Sequence, residues 1–231
     1  MTARNVVVRT IARADPGTVD GLAGFGTATV HEAIGRRGFP GPQLRPIQQG
    51  TRLAGTAVTV SCHPGDNLMI HAAVEVCREG DVLVVTNTAP STHGAFGELL
   101  ASSLMARGVR ALVTDAGVRD TAELREMGFA VWSQHVSCQG TVKASAGSVN
   151  VPIVIGGVVI SPGDVICADD DGVVAVPRDE AEWALEQSRA RIGAEDKTRA
   201  RLAAGELGVD FYGLRDKLAE LGVEYVDSLE D

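Results

Sequence analysis

The chain has 231 residues, and its content of 45% hydrophobic and 22% charged residues excludes an intrinsically disordered protein. A formal net charge of -9 excludes the broad basic surface that nucleic acid requires, but it leaves room for a local cationic cluster that binds an anionic substrate. No apolar run is long enough for a transmembrane helix, and the N-terminal segment lacks the apolar stretch of a signal peptide. We therefore expect a cytoplasmic protein with no membrane or nucleic-acid partner, in which the four cysteines are reduced thiols: Cys62, Cys77, Cys138 and Cys167.

Helix and strand signals alternate in the first part of the chain. Asp15 followed by Pro16 is typical of a helix start, since Asp caps the first turn and Pro fits it. Helices are predicted over 15–24, 29–35, 67–77, 94–107 and 119–127. Strands are predicted over 51–61, 82–86, 109–114 and 129–132, with the loop 115–117 after the third of them. This alternation indicates an α/β core.

The pattern changes after residue 140. Residues 140–176 contain strand after strand, broken by glycine-rich turns, and they predict a β-rich layer packed against the α/β core. A long polar helix over 179–202 and a shorter amphipathic helix over 212–221 follow. We therefore expect a single domain, with a core of about 1–178 and a helical extension of about 179–231. The long helix is charged nearly all round, so we expect it to lie against something outside its own domain.

Three loops follow predicted strands and carry the residues suited to chemistry: His63–Asn67, Ser91–Leu100 and Asp115–Asp120. Ligands of α/β sheets bind at the carboxyl ends of strands, where helix N-termini direct amide donors toward anions. In the second loop, Gly94 and Gly97 precede the amides of Glu98, Leu99 and Leu100, which together form a candidate anion cradle. Glycine is common at helix starts, so an ordinary turn is the alternative.

The third loop places Arg119 beside Asp120, directly before a helix. A guanidinium can bind a carboxylate or an oxyanion with two hydrogen bonds, and an aspartate can ligate Mg²⁺ or Mn²⁺. The alternative is a helix-capping Asp next to a surface Arg. Glu98 lies 21 positions before Arg119 and can face the same cleft, or it can be an ordinary first-turn acid favoured by the helix dipole.

Other patterns predict structure rather than chemistry. His63, His71 and His93 do not have the spacing of a zinc site, so we expect them to be structural or solvated. The acidic run 169–171 lacks the further ligands of a calcium loop, and it predicts a turn between strands. The cysteines have no evident base partner, and no phosphate-binding or dinucleotide-binding glycine motif is present.

Several segments together resemble the class II pyruvate aldolases of the superfamily of the regulator of ribonuclease activity A, which act on 4-carboxy-4-hydroxy-2-oxoadipate and 4-hydroxy-4-methyl-2-oxoglutarate. These segments include TVHEAIGRRG, PGDNLMIHAAVE, FGELLASS, VTDAGVRD, QGTVKASAGSVNVP and PGDVICADDDGV. The most specific element is an acid, twenty residues, and then Arg-Asp, which here is Glu98, residues 99–118, Arg119 and Asp120. The resemblance covers nearly the whole chain.

The resemblance implies an α/β core with a β-rich layer, and roles for the acidic signature. Asp120 is expected to bind Mg²⁺ or Mn²⁺, Arg119 to contact the ketone or enolate oxygen of the pyruvyl group, and Glu98 to act as a base through a water. The position of Glu98 is often Asp in the family. The activity implied is lyase cleavage in the meta-cleavage catabolism of aromatic acids such as protocatechuate and gallate, with oxaloacetate decarboxylation as a side activity.

The resemblance also implies substrate contacts and an assembly. The amides of Leu99 and Leu100 are expected to hold the pyruvyl carboxylate of a small anionic oxo acid, and Asn67 and Lys143 to contact its distal carboxylates. Glu195, with Asp196 as the adjacent alternative, is expected to reach the site of a neighbouring subunit in a homotrimer or a hexamer. The alternative function within this superfamily is a non-enzymatic inhibitor that binds a protein partner, and the acid at position 98 favours the aldolase.

Overall fold

Helices and strands alternate along the first part of the chain, as the sequence predicts. The computed structural model describes residues 5–229. Its helices are α1 (Pro16–Ala23), α2 (Thr27–Ala33), α3 (Leu68–Val74), α4 (Glu98–Met105), α5 (Thr121–Glu126), α6 (Ala181–Ala203), α7 (Gly208–Phe211) and α8 (Leu214–Glu220). Its strands are β1 (Arg45–Pro46), β2 (Leu53–Cys62), β3 (Asp81–Asn87), β4 (Gly94–Phe96), β5 (Ala111–Val118), β6 (Ala130–Val136), β7 (Ser148–Val149), β8 (Ile153–Ile155), β9 (Val158–Ile160), β10 (Val165–Asp169) and β11 (Gly172–Val176). A single 3₁₀ turn over Arg178–Glu180 leads into α6.

Most of the strands belong to one sheet, whose hydrogen-bonded order is β1-β6-β5-β3-β2-β10-β11. The four central strands β2, β3, β5 and β6 are parallel, whereas β1, β10 and β11 join antiparallel at the two sides. The short strand β4 pairs with the end of β5, β7 pairs with β2, and β8 and β9 form a separate hairpin. The predicted fold class, an α/β core with additional β structure, is confirmed.

The sheet curves into a nearly closed barrel, and its pleat divides the apolar side chains between two faces. In β3, Val82 and Val84 pack inside with residues of β6, β8, β10 and β11, while Leu83 and Val85 pack outside against α3 and α4. A third cluster lies under α1, α2 and the first two turns of α6. Because both faces are covered, the parallel strands are buried almost throughout, which explains the continuous apolar runs in the sequence.

Trp132 closes the barrel on the inside. Its side chain is fully buried, and its indole Nε1 donates to the carbonyl oxygen of Asp169 at 2.7 Å. Trp132 lies on β6 and Asp169 ends β10, which are separated in the sheet by β5, β3 and β2. This bond therefore joins two strands that are not neighbours and fixes the curvature between them.

Two sequence predictions near the carboxyl ends of the strands are wrong. The helix predicted from Gly94 begins only at Glu98, because Gly94–Phe96 pairs in parallel with the end of β5 as strand β4. The loop predicted over 115–117 belongs to β5, which continues to Val118 with an irregular register between Thr114 and Gly117. In both cases, pairing between distant segments decides the backbone conformation. The helix predicted to continue to Cys77 also ends earlier, at Val74.

Contacts divide the chain into two compact units, one up to Ser188 and one from Arg189. Within the second unit, none of the described residues 189–229 is buried, and exposed apolar side chains include Tyr212, directly after α7, and Leu214, the first residue of α8. The helices predicted over 179–202 and 212–221 are found as α6 and α8, and the approach of this extension to a neighbouring subunit stays a prediction. Among residues 5–229, no helix is long and apolar enough to cross a membrane.

We expect Trp132→Phe to destabilise the protein by about 1–3 kcal/mol, because the carbonyl of Asp169 loses its donor in a buried environment. Denaturant unfolding measures this change in free energy. Trp183→Phe is the matched control, since Trp183 is 42% exposed on α6, and we expect it to cost less than about 0.5 kcal/mol. Equal effects of the two substitutions would show that the indole bond contributes nothing.

Candidate active site

The carboxyl ends of β2, β4 and β5 come together at one edge of the sheet. Asn67 follows β2, Gly97 follows β4, and Arg119 with Asp120 follows β5. These positions lie in the three loops that the sequence indicates as carriers of chemistry. The parallel pairing of β4 with β5 aligns their ends, so the start of α4 lies directly against the start of α5.

Asp120 forms the junction between β5 and α5 in a left-handed backbone conformation, with φ 52° and ψ 42°. Aspartate tolerates this region better than most residues do. Its side chain makes no capping hydrogen bond to the amides of α5. Instead, Asp120 Oδ2 accepts from the backbone amide of Glu98 at 3.2 Å and lies 3.5 Å from Nε of Arg119. The carboxylate is thus turned toward the start of α4.

Gly97 makes this close approach possible. A Cβ at this position would lie 2.2 Å from Oδ2 of Asp120 and 3.0 Å from Cγ of Arg119. The backbone here is extended, so the glycine is needed for space and not for a left-handed turn. The amide of Arg119 donates to the carbonyl of Phe96 at 2.8 Å, which holds the two segments together.

The start of α4 presents free amide donors. The N-cap residue, Gly97, has no side chain that could cap the helix. The amide of Glu98, the first residue of α4, donates to Asp120. The amides of Leu99 and Leu100 have no acceptor within the described part of the chain, as expected for the first turn of a helix. These two amides are the free donors of the candidate anion cradle. The carboxylate of Glu98 accepts from the hydroxyl of Ser102 at 3.1 Å and stays partly exposed.

Asn67, at the start of α3, is buried with 8% of its surface exposed. Its Nδ2 donates to the carbonyl of Ala95 at 2.9 Å, which fixes the amide orientation and joins α3 to β4. Its Oδ1 is buried and has no donor among residues 5–229. An unpaired buried acceptor is costly, so this oxygen requires a donor from water or from a bound molecule.

Asp66 fixes the segment that carries Lys143. Its Oδ1 accepts from the first amide of α3, and its Oδ2 accepts from the amides of Ala144 and Ser145 at 2.7 Å each. Burial alone raises the pKa of the Asp66 carboxyl, but the backbone amides of Leu68, Ala144 and Ser145 outweigh it, and the pKa is lowered. Lys143 therefore lies on an anchored loop.

These segments enclose a pocket with a volume of about 80 Å³. Its lining residues are Asn67, His71, Gly94, Ala95, Gly97, Leu99, Leu100, Arg119 and Lys143. It contains two cationic side chains and a histidine but no lining carboxylate, although the whole chain carries a net charge of -9. The pocket is therefore suited to a small anion.

The structure brings together the predicted site residues of the first unit. Six of them line the pocket: Asn67, Gly97, Leu99, Leu100, Arg119 and Lys143. Glu98 and Asp120 lie next to it, because each directly follows a lining residue, Gly97 and Arg119. Glu195 belongs to the second unit, where it pairs with Arg191 at 2.8 Å, and its role at a neighbouring site stays a prediction.

His71 also lines the pocket, although we expected it to be structural or solvated. The signal that would have found it is its spacing of four from Asn67, which places both residues on one helix face. His63 and His93 do not line the pocket.

The acidic run 169–171, which the sequence predicts to be structural, makes structural hydrogen bonds. Asp169 accepts from the amide and hydroxyl of Thr27, and Asp170 accepts from the amide of Gly50, so the acidic run forms a turn. No cysteine forms a disulfide, and Cys138 alone is exposed.

Comparison with known proteins agrees with the fold. The model of the RraA-like family, described as Aldolase/RraA, matches residues 27–175. The chain belongs to this family, which confirms the resemblance drawn from the motifs.

Individual relatives fall into two kinds. A protein from Halalkalibacterium halodurans named "Putative 4-hydroxy-4-methyl-2-oxoglutarate aldolase" is 30% identical over 158 residues, which span 68% of this chain and 75% of that protein. A protein of the same name from Burkholderia multivorans is 37% identical over 133 residues, which span 58% and 80% of the two chains. The solved structure of Streptomyces coelicolor RraAS2, described as an unusual member of the RNase ES inhibitor RraA family, is 28% identical with a TM-score of 0.73, and covers 82% of this chain and 99% of that chain.

We expect Asp66→Ala to release the loop that carries Lys143. The amides of Ala144 and Ser145 lose their common acceptor, so their hydrogen exchange should accelerate by at least about tenfold, while Asp66→Asn, which keeps one acceptor oxygen, should have a smaller effect. Because the pKa of Asp66 is lowered in the folded protein, its stabilisation is complete above pH of about 4 and is lost as pH falls through the folded pKa. Unchanged exchange in Asp66→Ala at neutral pH would contradict this anchoring.

Proposed function

We propose that the protein is a lyase, a divalent-metal-dependent pyruvate aldolase that cleaves 4-carboxy-4-hydroxy-2-oxoadipate to oxaloacetate and pyruvate, and 4-hydroxy-4-methyl-2-oxoglutarate to two pyruvates. The observation that carries this proposal is the convergence of Glu98, Arg119 and Asp120 around Gly97, beside a cationic pocket. The aldolase names of the relatives support the reaction class.

The pocket supplies donors for an anionic 2-oxo acid. The free amides of Leu99 and Leu100, at the positive end of α4, bind the carboxylate next to the ketone. The guanidinium of Arg119 donates to the ketone oxygen, where negative charge develops during cleavage. Lys143 is available for a carboxylate further along the substrate.

Asp120 fits a site for Mg²⁺ or Mn²⁺. It offers a hard carboxylate oxygen, Oδ1, that has no partner in the described part of the chain. Among residues 5–229, no group of three His, Cys, Asp or Glu side chains could hold a metal, so a single carboxylate with water ligands is the fitting arrangement, as Mg²⁺ commonly prefers. A bound divalent cation supplies Lewis acidity that stabilises negative charge on the ketone oxygen.

Retro-aldol cleavage needs a base for the C4 hydroxyl of the substrate. Glu98 is partly exposed at the start of α4, so it can take this proton through a water molecule. The C3–C4 bond then breaks, C4 becomes a carbonyl carbon, and the bonding electrons form the pyruvate enolate. Arg119 stabilises the enolate oxygen, and C3 takes a proton from water to give pyruvate.

The alternative function is a non-enzymatic inhibitor that binds a protein, and the similarity to RraAS2 favours it. Such a role needs neither a carboxylate at position 98 nor a cationic pocket. An assay of pyruvate release from the two hydroxy-oxo acids and from oxaloacetate, with and without EDTA, separates the two functions. The absence of release from all three substrates in the presence of Mg²⁺ or Mn²⁺ would favour the inhibitor.

We expect Asp120→Asn to abolish binding of Mn²⁺ and metal-dependent turnover without unfolding the protein, because the amide removes the anionic ligand and keeps the size of the side chain. Electron paramagnetic resonance of Mn²⁺ measures binding directly, and circular dichroism checks the fold. Asp20→Asn is the matched control, since Asp20 is exposed and pairs with Arg110 away from the pocket. Retained Mn²⁺ affinity in Asp120→Asn would exclude this residue as the ligand.

We expect Glu98→Gln to lower the kcat of retro-aldol cleavage by about 10²–10⁴-fold, the usual scale for loss of a general base. Decarboxylation of oxaloacetate involves no hydroxyl proton, so its kcat should fall far less, whereas Asp120→Asn should abolish both activities. The measured quantity is the ratio of the two activities in each variant. Equal losses in Glu98→Gln would show that Glu98 supports the site as a whole and is not the base.

A further inference from the structure

Strand β5 changes its neighbour on one side shortly before it reaches the candidate site. It pairs with β3 up to Thr114, opposite Val85, and with β4 from Gly117 onward. Strand β6 lies on its other side before and after this change, so β4 takes the place that β3 leaves. Strand β3 instead continues along β2 to Asn87. The sheet therefore opens between β3 and β5, and this opening admits β4 beside the end of β5.

A β-bulge marks the point of change. Three residue steps on β5, from Thr114 to Gly117, face two steps on β6, from Ser133 to His135, so β5 carries one extra residue. A bulge bends its strand, redirects a side chain and interrupts the regular backbone ladder. The hydroxyl of Thr114 supplies one replacement for the ladder, because it accepts from the amide of Ala116 at 3.0 Å.

Asp115 lies in this bulge and bonds across the opening to β3. Its Oδ2 accepts from the hydroxyl of Thr86 at 2.6 Å, and its Oδ1 accepts from the amide of Asn87 at 3.3 Å. Both donors lie beyond the last regular pair of β3 with β5, so the carboxylate replaces the missing ladder between these strands. Burial raises the pKa of the Asp115 carboxyl, although these hydrogen bonds and the charge of His135 oppose this effect. The proposed reaction assigns no task to this acid.

The residues that follow the bulge hold β4 in place. The amide of Gly117 donates to the carbonyl of His93 at 3.1 Å, and the amide of Arg119 donates to the carbonyl of Phe96 at 2.8 Å. The first amide of α4 then donates to the carboxylate of Asp120. A shift of the bulge would therefore move Arg119 and Asp120 together relative to the start of α4.

We propose that Asp115 is a positioning residue of the candidate active site. It joins the carboxyl end of β5 to β3 across the opening and so fixes the bulge, and the bulge fixes Arg119 and Asp120 against the start of α4. The proposal rests on the proposed function, because that function requires Asp120 to hold a divalent cation beside α4. Groups that orient a metal ligand without contacting the metal commonly change metal affinity by about 10–100-fold when they are removed.

Three substitutions test this role. Asp115→Ala removes the acceptor of both donors on β3. Asp115→Asn keeps an oxygen for the amide of Asn87, and its Nδ2 can donate to the hydroxyl oxygen of Thr86, so this conservative variant should restore most of the wild-type behaviour. Thr86→Val removes only the shorter bond and has a similar shape, so it should act in the same direction as Asp115→Ala with a smaller effect.

Asp164→Ala is the matched control. Asp164 is also a carboxylate whose pKa burial raises, and it accepts from the amides of Ser161 and Arg178 at 2.8 and 3.0 Å. Its own carbonyl accepts from the amide of Ala57, in the half of β2 that lies away from the candidate site. A general loss of stability should therefore be common to both alanine variants, whereas displacement of the site should occur only in Asp115→Ala.

Hydrogen exchange tests the geometry without any metal. We expect the amides of Gly117 and Arg119, which bond to the segment of β4, to exchange at least about tenfold faster in Asp115→Ala than in the wild type. Rates are taken relative to the core amides of β3, which follow global unfolding. The expected acceleration in Thr86→Val is about threefold, and Asp164→Ala should keep the wild-type rates.

Mn²⁺ binding, measured by electron paramagnetic resonance, tests the consequence for the site. We expect Asp115→Ala to weaken Mn²⁺ binding by about tenfold and Thr86→Val by about threefold, because Asp120 then samples positions away from α4. Asp115→Asn and Asp164→Ala should stay within about twofold of the wild type.

The outcomes separate the positioning role from the proposed function. Wild-type exchange rates or unchanged Mn²⁺ affinity in Asp115→Ala, or an equal loss of affinity in Asp164→Ala, would overturn the positioning role while the proposed function stands. If Asp115→Ala does not fold, wild-type behaviour of Thr86→Val overturns it in the same way. If the wild type binds no Mn²⁺, the proposed function itself fails, and the exchange rates alone decide whether Asp115 fixes the bulge.

Discussion

The arrangement of the candidate site depends on one close approach, between the backbone at Gly97 and the side chains at the β5–α5 junction. Parallel pairing of β4 with β5 brings these segments together, and any side chain at position 97 would overlap the carboxylate of Asp120. A cation, an acid and two free amide donors are thereby concentrated within one turn of two helix starts. The site is therefore fixed by backbone proximity, and the side chains need few contacts with one another to stay in place.

The sequence predicts the parts of the fold that local patterns control. The structure contains both the strand predicted from the apolar run of β3 and the helix predicted to start at Asp15-Pro16. Each of these signals lies within a few consecutive residues. The conformation of Gly94–Phe96 was not predictable, since three residues show no alternation and only their pairing with β5 makes them a strand. Arg119 and Asp120 could be placed at the site because ligands gather at the carboxyl ends of parallel strands. His71 was missed, because its spacing of four from Asn67 indicates a shared helix face, and only the tertiary contact of Asn67 with Ala95 shows that this face meets the pocket.

Electrostatics acts here at two scales. The chain as a whole repels anions, with a net charge of -9, while Arg119 and Lys143 line a pocket without carboxylates. A cleft of one sign within a low-dielectric protein focuses its field, so the attraction is confined to the opening of the pocket. An anion with two or three carboxylates gains more from this local field than an anion with one, and the difference should decrease at high ionic strength.

The distribution of the cysteines makes the native chain convenient for spectroscopy. Burial raises the pKa of the thiols of Cys62, Cys77 and Cys167 to about 12, so these three remain protonated and unreactive toward alkylating reagents in the folded protein. Cys138 is exposed, and its two neighbours hydrogen-bond to Val118 and Gly94 at the strand ends beside the pocket. A fluorophore or spin label attached through maleimide would therefore be placed at a single position near the site, without removal of any other cysteine.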